Sequence, residues 1–270
     1  MLFKKVSGDI MNASTEPVIL KLGGSAITDK GAYEGVVKEA ALLRIAREVS
    51  GFRGKMIVVH GAGSFGHIYA KKYGLDRNFD PEGAIVTHES VKKLASRVVD
   101  ALNSFGVMAI AVHPMGCTVC RNGRIESMYL DSIKLMLEKG FVPVLHGDVV
   151  MDLKLGTCIL SGDQIVPYLA KELGITRIGL GSAEDGVLDM DGKPVPEITP
   201  DNFEEFRQCI GGSKSTDVTG GMLGKVLELL ELSKNSSITS HIFNAGKADN
   251  IYRFLNGESI GTRISPNKRV

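Results

Sequence analysis

Residues 56–67, Met-Ile-Val-Val-His-Gly-Ala-Gly-Ser-Phe-Gly-His, constrain this chain more than any other stretch. Met56 to Val59 is an apolar run that reads as a buried strand. His60, Gly61, Ala62 and Gly63 then turn with almost no side-chain bulk, and from Ser64 the pattern is helical. Glycine lets backbone N–H groups approach a ligand closely, and a helix N-terminus favours an anion. The stretch is therefore an expected phosphate site, with His67 about one turn into the helix as a donor. Gly61 to Gly66 also fits the dinucleotide fingerprint G-x-G-x-x-G. That reading needs a second strand after the helix, closed by an acidic residue about 20 positions on. Residues 74–83, Gly-Leu-Asp-Arg-Asn-Phe-Asp-Pro-Glu-Gly, are polar and turn-like, which argues against nicotinamide or flavin. On this segment alone a purely structural glycine turn stays open.

The same theme recurs along the chain. Val18 to Leu22 is a short strand interrupted by Lys21 and followed at once by Gly23-Gly24-Ser25. Lys21 either snorkels from an edge or holds its ammonium over a glycine loop, where phosphate oxygens would meet it. Lys30 is a second cation near the same strand end, equally readable as a solvated loop lysine. Residues 35–50 carry helical periodicity, so strands 18–22 and 56–60 are expected side by side in a right-handed βαβ unit. Both glycine loops would then open on one crevice at the carboxyl ends of the strands.

Ser161-Gly162-Asp163 precedes an apolar-periodic run, Ile165 to Leu173, and either Ser161 or Asp163 suits its N-cap. Thr216 to Lys225 is a glycine loop entering a helix that runs to Leu232. Its spacing is not that of a Walker loop, yet it offers N–H donors and Lys225 to a polyphosphate. Further helices are expected over 64–73, 84–105, 128–139, 200–210 and 247–255. Further strands are expected over 107–112, 141–145, 177–180, 241–243 and 261–264, with a β-hairpin over 148–151 and 157–160 and a loop over 114–124. Alternating strands and helices of this kind make an α/β chain.

Composition narrows the function classes. The chain has 270 residues, 43% of them hydrophobic and 23% charged, with a net charge of +1. That balance gives no global argument for nucleic acid or membrane, so any anion site must be local. No apolar run reaches membrane-span length. The first 17 residues lack a signal-peptide core and read as a loose extension, with Met11 as an internal start. Cys117 and Cys120 have the spacing of half a zinc site, but Cys158 and Cys209 are isolated and no histidine pair lies nearby, so no metal site is expected. Reduced thiols and a cytoplasmic location follow as expectations.

Five segments in this order carry a resemblance. They are Lys21-Leu-Gly-Gly-Ser25 with Asp29-Lys30, His60 to His67, His146-Gly-Asp148, Ser161-Gly-Asp163, and Asp217-Val-Thr-Gly-Gly-Met222 with Lys225. The chain resembles the amino acid kinase superfamily and, within it, the isopentenyl phosphate kinases of archaeal type; the Gly66-His67 ending is the specific part, shared with the related fosfomycin kinases. The resemblance implies an open αβα sandwich with a mainly parallel central sheet. It implies one kinase domain over 18–270, with an acceptor-binding lobe over 18–173 and a nucleotide-binding lobe over 174–270.

It also implies ATP with Mg2+ as cofactors, a prenyl phosphate as small-molecule partner, a likeness to homodimers, and a place in isoprenoid synthesis. The implied reaction is direct transfer of the γ-phosphoryl group to isopentenyl phosphate. Carried over by position, Lys21, Lys30 and His67 would be catalytic. Lys21, Gly23, Gly24, Ser25, Gly63, Asp185, Gly220, Gly221 and Lys225 would hold ATP. Ala62, Gly66, His67 and Gly162 would hold the acceptor phosphate. The tail needs an apolar wall beside it, for which the start of the expected helix 84–105, with Ala84, Thr87 and His88, is the candidate. One departure stands out: the family commonly has Thr-Asp-Val-Asp-Gly after the strand at 177–180, and this chain has Ser182-Ala183-Glu184-Asp185-Gly186. Alternatives are a fosfomycin-kinase-like enzyme acting on another phosphate or phosphonate, and a non-catalytic nucleotide-binding protein of the same fold.

Overall fold

The computed structural model describes residues 16–29, 31, 34–211, 221–234 and 237–267. Lys30, Gly220 and the first half of the 216–225 loop lie outside them, as does most of the N-terminal extension.

In chain order the first elements are β1 (Val18–Leu22), α1 (Gly24–Ile27), α2 (Glu39–Ser50), β2 (Met56–His60), α3 (Gly63–Lys72), α4 (Pro81–Ser104) and β3 (Ala109–Ala111). Next come β4 (Thr118–Arg121), β5 (Arg124–Met128), α5 (Asp131–Glu138), β6 (Val142–His146), β7 (Asp148–Asp152), β8 (Gly156–Leu160) and α6 (Gly162–Leu173). The chain continues through β9 (Arg177–Ser182), β10 (Glu197–Ile198), α7 (Phe203–Gly211), α8 (Gly221–Lys234), β11 (Thr239–Asn244), α9 (Asn250–Leu255) and β12 (Thr262–Ile264).

Eight strands form one sheet in the order β10-β12-β11-β9-β1-β2-β6-β3. Every pairing in it is parallel except β11 with β12. Strand β1 shows why helices cover both faces. Ile19 belongs to the core under α5, α6, α7 and α8, while Val18, Leu20 and Leu22 belong to the core under α1, α2, α4 and α9. Successive side chains of a strand point to opposite faces, so Lys21 must share the α6 side with Ile19. Each fully buried Ile, Leu or Phe in these cores contributes about 1.5–3 kcal/mol.

The structure corrects the sequence reading in the middle of the chain. The expected loop 114–124 is instead a short 3-10 turn, Pro114–Gly116, followed by the hairpin β4–β5, which takes in Met128, the first residue of the expected helix 128–139, and turns at Asn122 and Gly123, both at positive φ (51° and 77°). Strand β5, Arg-Ile-Glu-Ser-Met, is largely exposed and lacks apolar alternation, so its sequence does not advertise a strand. Asp152 completes the hairpin by accepting the N–H groups of Asn122 and Gly123 at 3.1 and 2.7 Å. With β7 and β8 the hairpin makes a second sheet, β5-β4-β7-β8. The 84–105 helix begins three residues early, because Asp80 caps it through Gly83 N at 2.7 Å and Pro81 suits its first turn. Helix α9 starts at Asn250 rather than 247, and β10 adds an unforeseen edge strand. Residues 73–80 form turns and no strand, so the second strand that a dinucleotide fold needs after α3 is missing.

Candidate active site

Strand register sets the site. Leu22 pairs with His60 on one side and Gly181 on the other, and His60 pairs with His146. Four parallel strands, β9, β1, β2 and β6, therefore end at one level, and their following turns lie together. The turns hydrogen-bond in sequence: Gly23 N to Gly181 O at 2.7 Å, Gly61 N to Leu22 O at 2.9 Å, and Gly147 N to His60 O at 2.9 Å. A Cβ on Gly24 would stand 2.5 Å from Gly63 N, and Gly63 itself has φ of +53°. The two glycine turns touch through their backbones, which no side chain at either position would allow.

These turns, with the N-terminal ends of α3, α6 and α8, surround a cleft of about 940 Å³. Of the residues expected from sequence, Lys21, Gly23, Gly24, Ser25, Ala62, Gly63, Gly66, His67, Thr87, Gly162, Gly221 and Lys225 all border it. Three do not. Ala84 is buried against Ala70, Leu75 and Val149. His88 bonds Asp148. Asp185 accepts from Lys247 Nζ at 2.8 Å and Asn244 Nδ2 at 2.9 Å, and these bonds lower its pKa. Ala183, the departure noted above, borders the cleft beside Glu184. One stretch of the wall is apolar, with Ile68, Ala70, Val91, Val149 and Ile159.

The charged centre is a group the sequence reading undervalued. Lys21 Nζ donates to Asp163 Oδ1 at 2.6 Å, and Lys225 Nζ lies 3.6 Å from Asp163 Oδ2. Lys21 and Asp163 are 4% and 8% exposed. Ser161, not Asp163, caps α6, accepting from Gln164 N at 3.3 Å. The Asp163 carboxylate is thus free to hold two lysines from distant parts of the chain. Its sequence signal was an acidic residue directly after Gly162 in the first helical turn, but its partner lies 142 positions away.

Beneath the glycine turns lies a row of histidines. His60 and His146 are fully buried and stacked, with centroids 5.4 Å apart. Each donates from Nδ1 to the carbonyl of the next residue, Gly61 O at 3.0 Å and Gly147 O at 3.1 Å. His146 Nε2 then accepts from His113 Nδ1 at 2.8 Å. Burial holds His60 near a pKa of about 4 and His146 near about 3. Both values lie below the unfolded one, so the unfolded chain takes up protons first on acidification. The stabilisation is complete above about pH 6.5 and is lost as pH falls through those values; for His60 it amounts to about 3 kcal/mol. The denaturant midpoint is expected to drop between about pH 7 and pH 4, with a shallower slope in His60→Gln. Equal slopes in the two proteins would remove His60 as the cause.

The sequence profile of the amino acid kinase family matches residues 16–244. The chain belongs to the amino acid kinase family. Among curated proteins of this family it is 42% identical to the isopentenyl phosphate kinase of Haloferax volcanii, over 92% of this chain and 98% of that one. It is 38% identical to the isopentenyl phosphate kinase of Methanothermobacter thermautotrophicus, with the same coverage. A crystal structure of an isopentenyl phosphate kinase superposes with a TM-score of 0.80 at 35% identity, covering 92% of this chain and all of the other. A substrate complex of such a kinase gives 0.75 at 27% identity. Acetylglutamate kinases of Neisseria meningitidis match at 23–24%.

Proposed function

We propose that this kinase moves the γ-phosphoryl group of ATP directly onto isopentenyl phosphate, making isopentenyl diphosphate for isoprenoid synthesis. The observation that carries the reading is the pair of lysines on one buried aspartate, Lys21–Asp163–Lys225, in a cleft whose wall is elsewhere apolar. Phosphoryl transfer needs positioning and charge neutralisation far more than covalent chemistry. The names of the relatives support the same acceptor.

In this reading Lys21 lies along the transferring phosphate and Asp163 sets the reach of both lysines. Gly24 and Ser25, in the first turn of α1, offer backbone N–H groups to the nucleotide phosphates; Gly23, whose own N–H bonds Gly181 O, shapes that turn, and Gly63, Gly220, Gly221 and Lys225 complete the ATP set. Lys30 adds charge neutralisation in the transition state. Ala62 separates donor and acceptor phosphates, and His67, Gly66 and Gly162 hold the acceptor. A polyphosphate fits the cleft because the N-termini of α3, α6 and α8 and four lysines, Lys21, Lys38, Lys71 and Lys225, border it. Among the described residues no group of three or more His, Cys, Asp or Glu is placed to hold a metal ion. Mg2+ would come with the nucleotide phosphates and would supply charge neutralisation there. Thr87, Val91, Val149 and Ile159 take the prenyl tail, while Ala84 sits one layer behind them. An acceptor that is already an ionised phosphate needs no strong general base. A homodimeric assembly belongs to the same proposal.

The test is a coupled assay with Mg-ATP against isopentenyl, dimethylallyl and geranyl phosphates, fosfomycin and UMP. Selective turnover of isopentenyl phosphate is expected. A preference for fosfomycin or UMP, or silence across the panel with ATP still bound, would overturn the reading. The apolar wall favours a hydrocarbon tail over the small polar fosfomycin.

A further inference from the structure

Asp148 is an unexpected group to find in the wall of a cleft that receives anions. It borders the cleft, yet its carboxylate is fully buried. Three donors converge on it. His88 Nδ1 lies 2.9 and 3.0 Å from its two oxygens. Met115 N donates to Oδ2 at 3.2 Å and Val149 N to Oδ1 at 2.9 Å, and His146 Nδ1 stands 3.9 Å from Oδ2. His146 is buried neutral, so His88 is the one partner in this set that brings charge.

Position makes the pair consequential. His88 follows Thr87 on α4 and precedes Val91 by one turn, and Asp148 precedes Val149 on β7; Thr87, Val91 and Val149 all border the cleft. The bond therefore joins the two elements that carry this stretch of wall. We propose that His88 is a positioning residue for the acceptor: as an imidazolium it cancels the Asp148 charge and ties α4 to β7, so that the wall admits a phosphate bearing an apolar tail. This rests on the isopentenyl phosphate kinase reading and adds to it a residue that governs acceptor affinity.

The groups facing His88 bear this out. From β7 comes Asp148, from the segment after β3 the His113 ring with its centroid 6.1 Å away and edge-on, and from α4 itself Lys92 and Glu89. The hydrogen bond to Asp148 is the largest influence and raises the His88 pKa, against an opposing effect of burial. His113 is pushed down, by burial and then by the charge on His88. A raised folded pKa means that His88 is charged below about pH 6.5 and loses its charge as pH climbs through the raised value. Above it, a buried carboxylate faces an anionic acceptor unbalanced.

Two measurements test this. The first is an NMR titration of the histidine rings in the wild type and in Asp148→Asn. His88 is expected to titrate above the ordinary histidine value and to return toward it in the variant. An unshifted His88 in the wild type overturns the inference whether or not any acceptor turns over. The second is steady-state kinetics with isopentenyl phosphate from about pH 6 to pH 9 for the wild type, His88→Asn and His88→Phe. Asparagine keeps an N–H near the Nδ1 position without the charge. In His88→Asn the KM for isopentenyl phosphate is expected to rise about tenfold, with most of the loss in KM and little in kcat, and the alkaline rise in KM expected of the wild type should vanish. Wild-type KM and pH profile in His88→Asn would overturn the proposal, as would equal losses for ATP and acceptor, the mark of general damage to the fold. Absence of turnover in the wild type itself would instead refute the substrate assignment.

Discussion

Replacing Asp163 with asparagine is expected to lower kcat about a hundred- to a thousandfold, the usual range for removing one preorganised electrostatic contact. The cause is geometric. Lys21 and Lys225 reach the cleft from opposite halves of the chain, and among the described residues Asp163 is the carboxylate that pairs with both, at 2.6 and 3.6 Å. Asparagine fills the same space but takes the Asp163 charge away from two ammonium groups, one of them almost wholly buried. Breaking a buried pair on one side costs about 3–5 kcal/mol, so the melting temperature should fall in the same variant. Nucleotide phosphates can replace the missing negative charge, so ATP should recover more stability in Asp163→Asn than in the wild type. The double variant Lys21→Met, Asp163→Leu separates the two effects. An apolar pair of similar volume should restore much of the stability and none of the turnover. A kcat for Asp163→Asn within about threefold of wild type, beside a lowered melting temperature, would reduce Asp163 to a structural role.

His67→Ala should abolish acceptor binding in the working range while sparing the nucleotide. His67 is half-buried on α3, one turn after Gly63, and borders the cleft. A hydrogen bond to a charged group is worth about 1.5–3 kcal/mol, which is about a ten- to hundredfold rise in KM for isopentenyl phosphate. A fall in kcat should accompany it, because an acceptor that is no longer oriented loses its in-line approach. ATP affinity, measured by calorimetry without acceptor, should stay near wild type. His67→Gln, which keeps an N–H at the end of the side chain, should recover part of the loss. Unchanged acceptor kinetics in His67→Ala would remove the residue from the site.

The two predictions draw on different kinds of information. His67 was legible in the sequence, because everything that marks it is local. A four-residue apolar run, a glycine turn and the start of a helix together define a strand-to-helix junction, and His67 falls one turn inside it. The same holds for Lys21, Gly23, Gly24, Ser25, Gly162 and Lys225, each beside its own glycine turn. Strand and helix periods are short-range, so the αβα layering and the adjacency of β1 and β2 could be inferred as well.

Asp163 and Asp148 were not legible as site residues. Each meets its partner across a long stretch of chain, 142 positions for Lys21 and 60 for His88, and no window of sequence contains both. Strand β5 escaped notice because an exposed strand has no buried face to impose alternation. Ala84 and His88 were placed on the cleft wall from helical proximity alone. Tertiary packing set Ala70, Leu75 and Val149 over the first and turned the second onto Asp148.

What the sequence alone determined is where backbone turns open to an anion, since that depends on glycine and on helix starts. Which carboxylates neutralise which cations, and which side chains face the cleft, was decided only when the strand registers brought β1, β2, β6 and β9 to one edge. Charge pairing acts through space, and only the folded chain sets those distances.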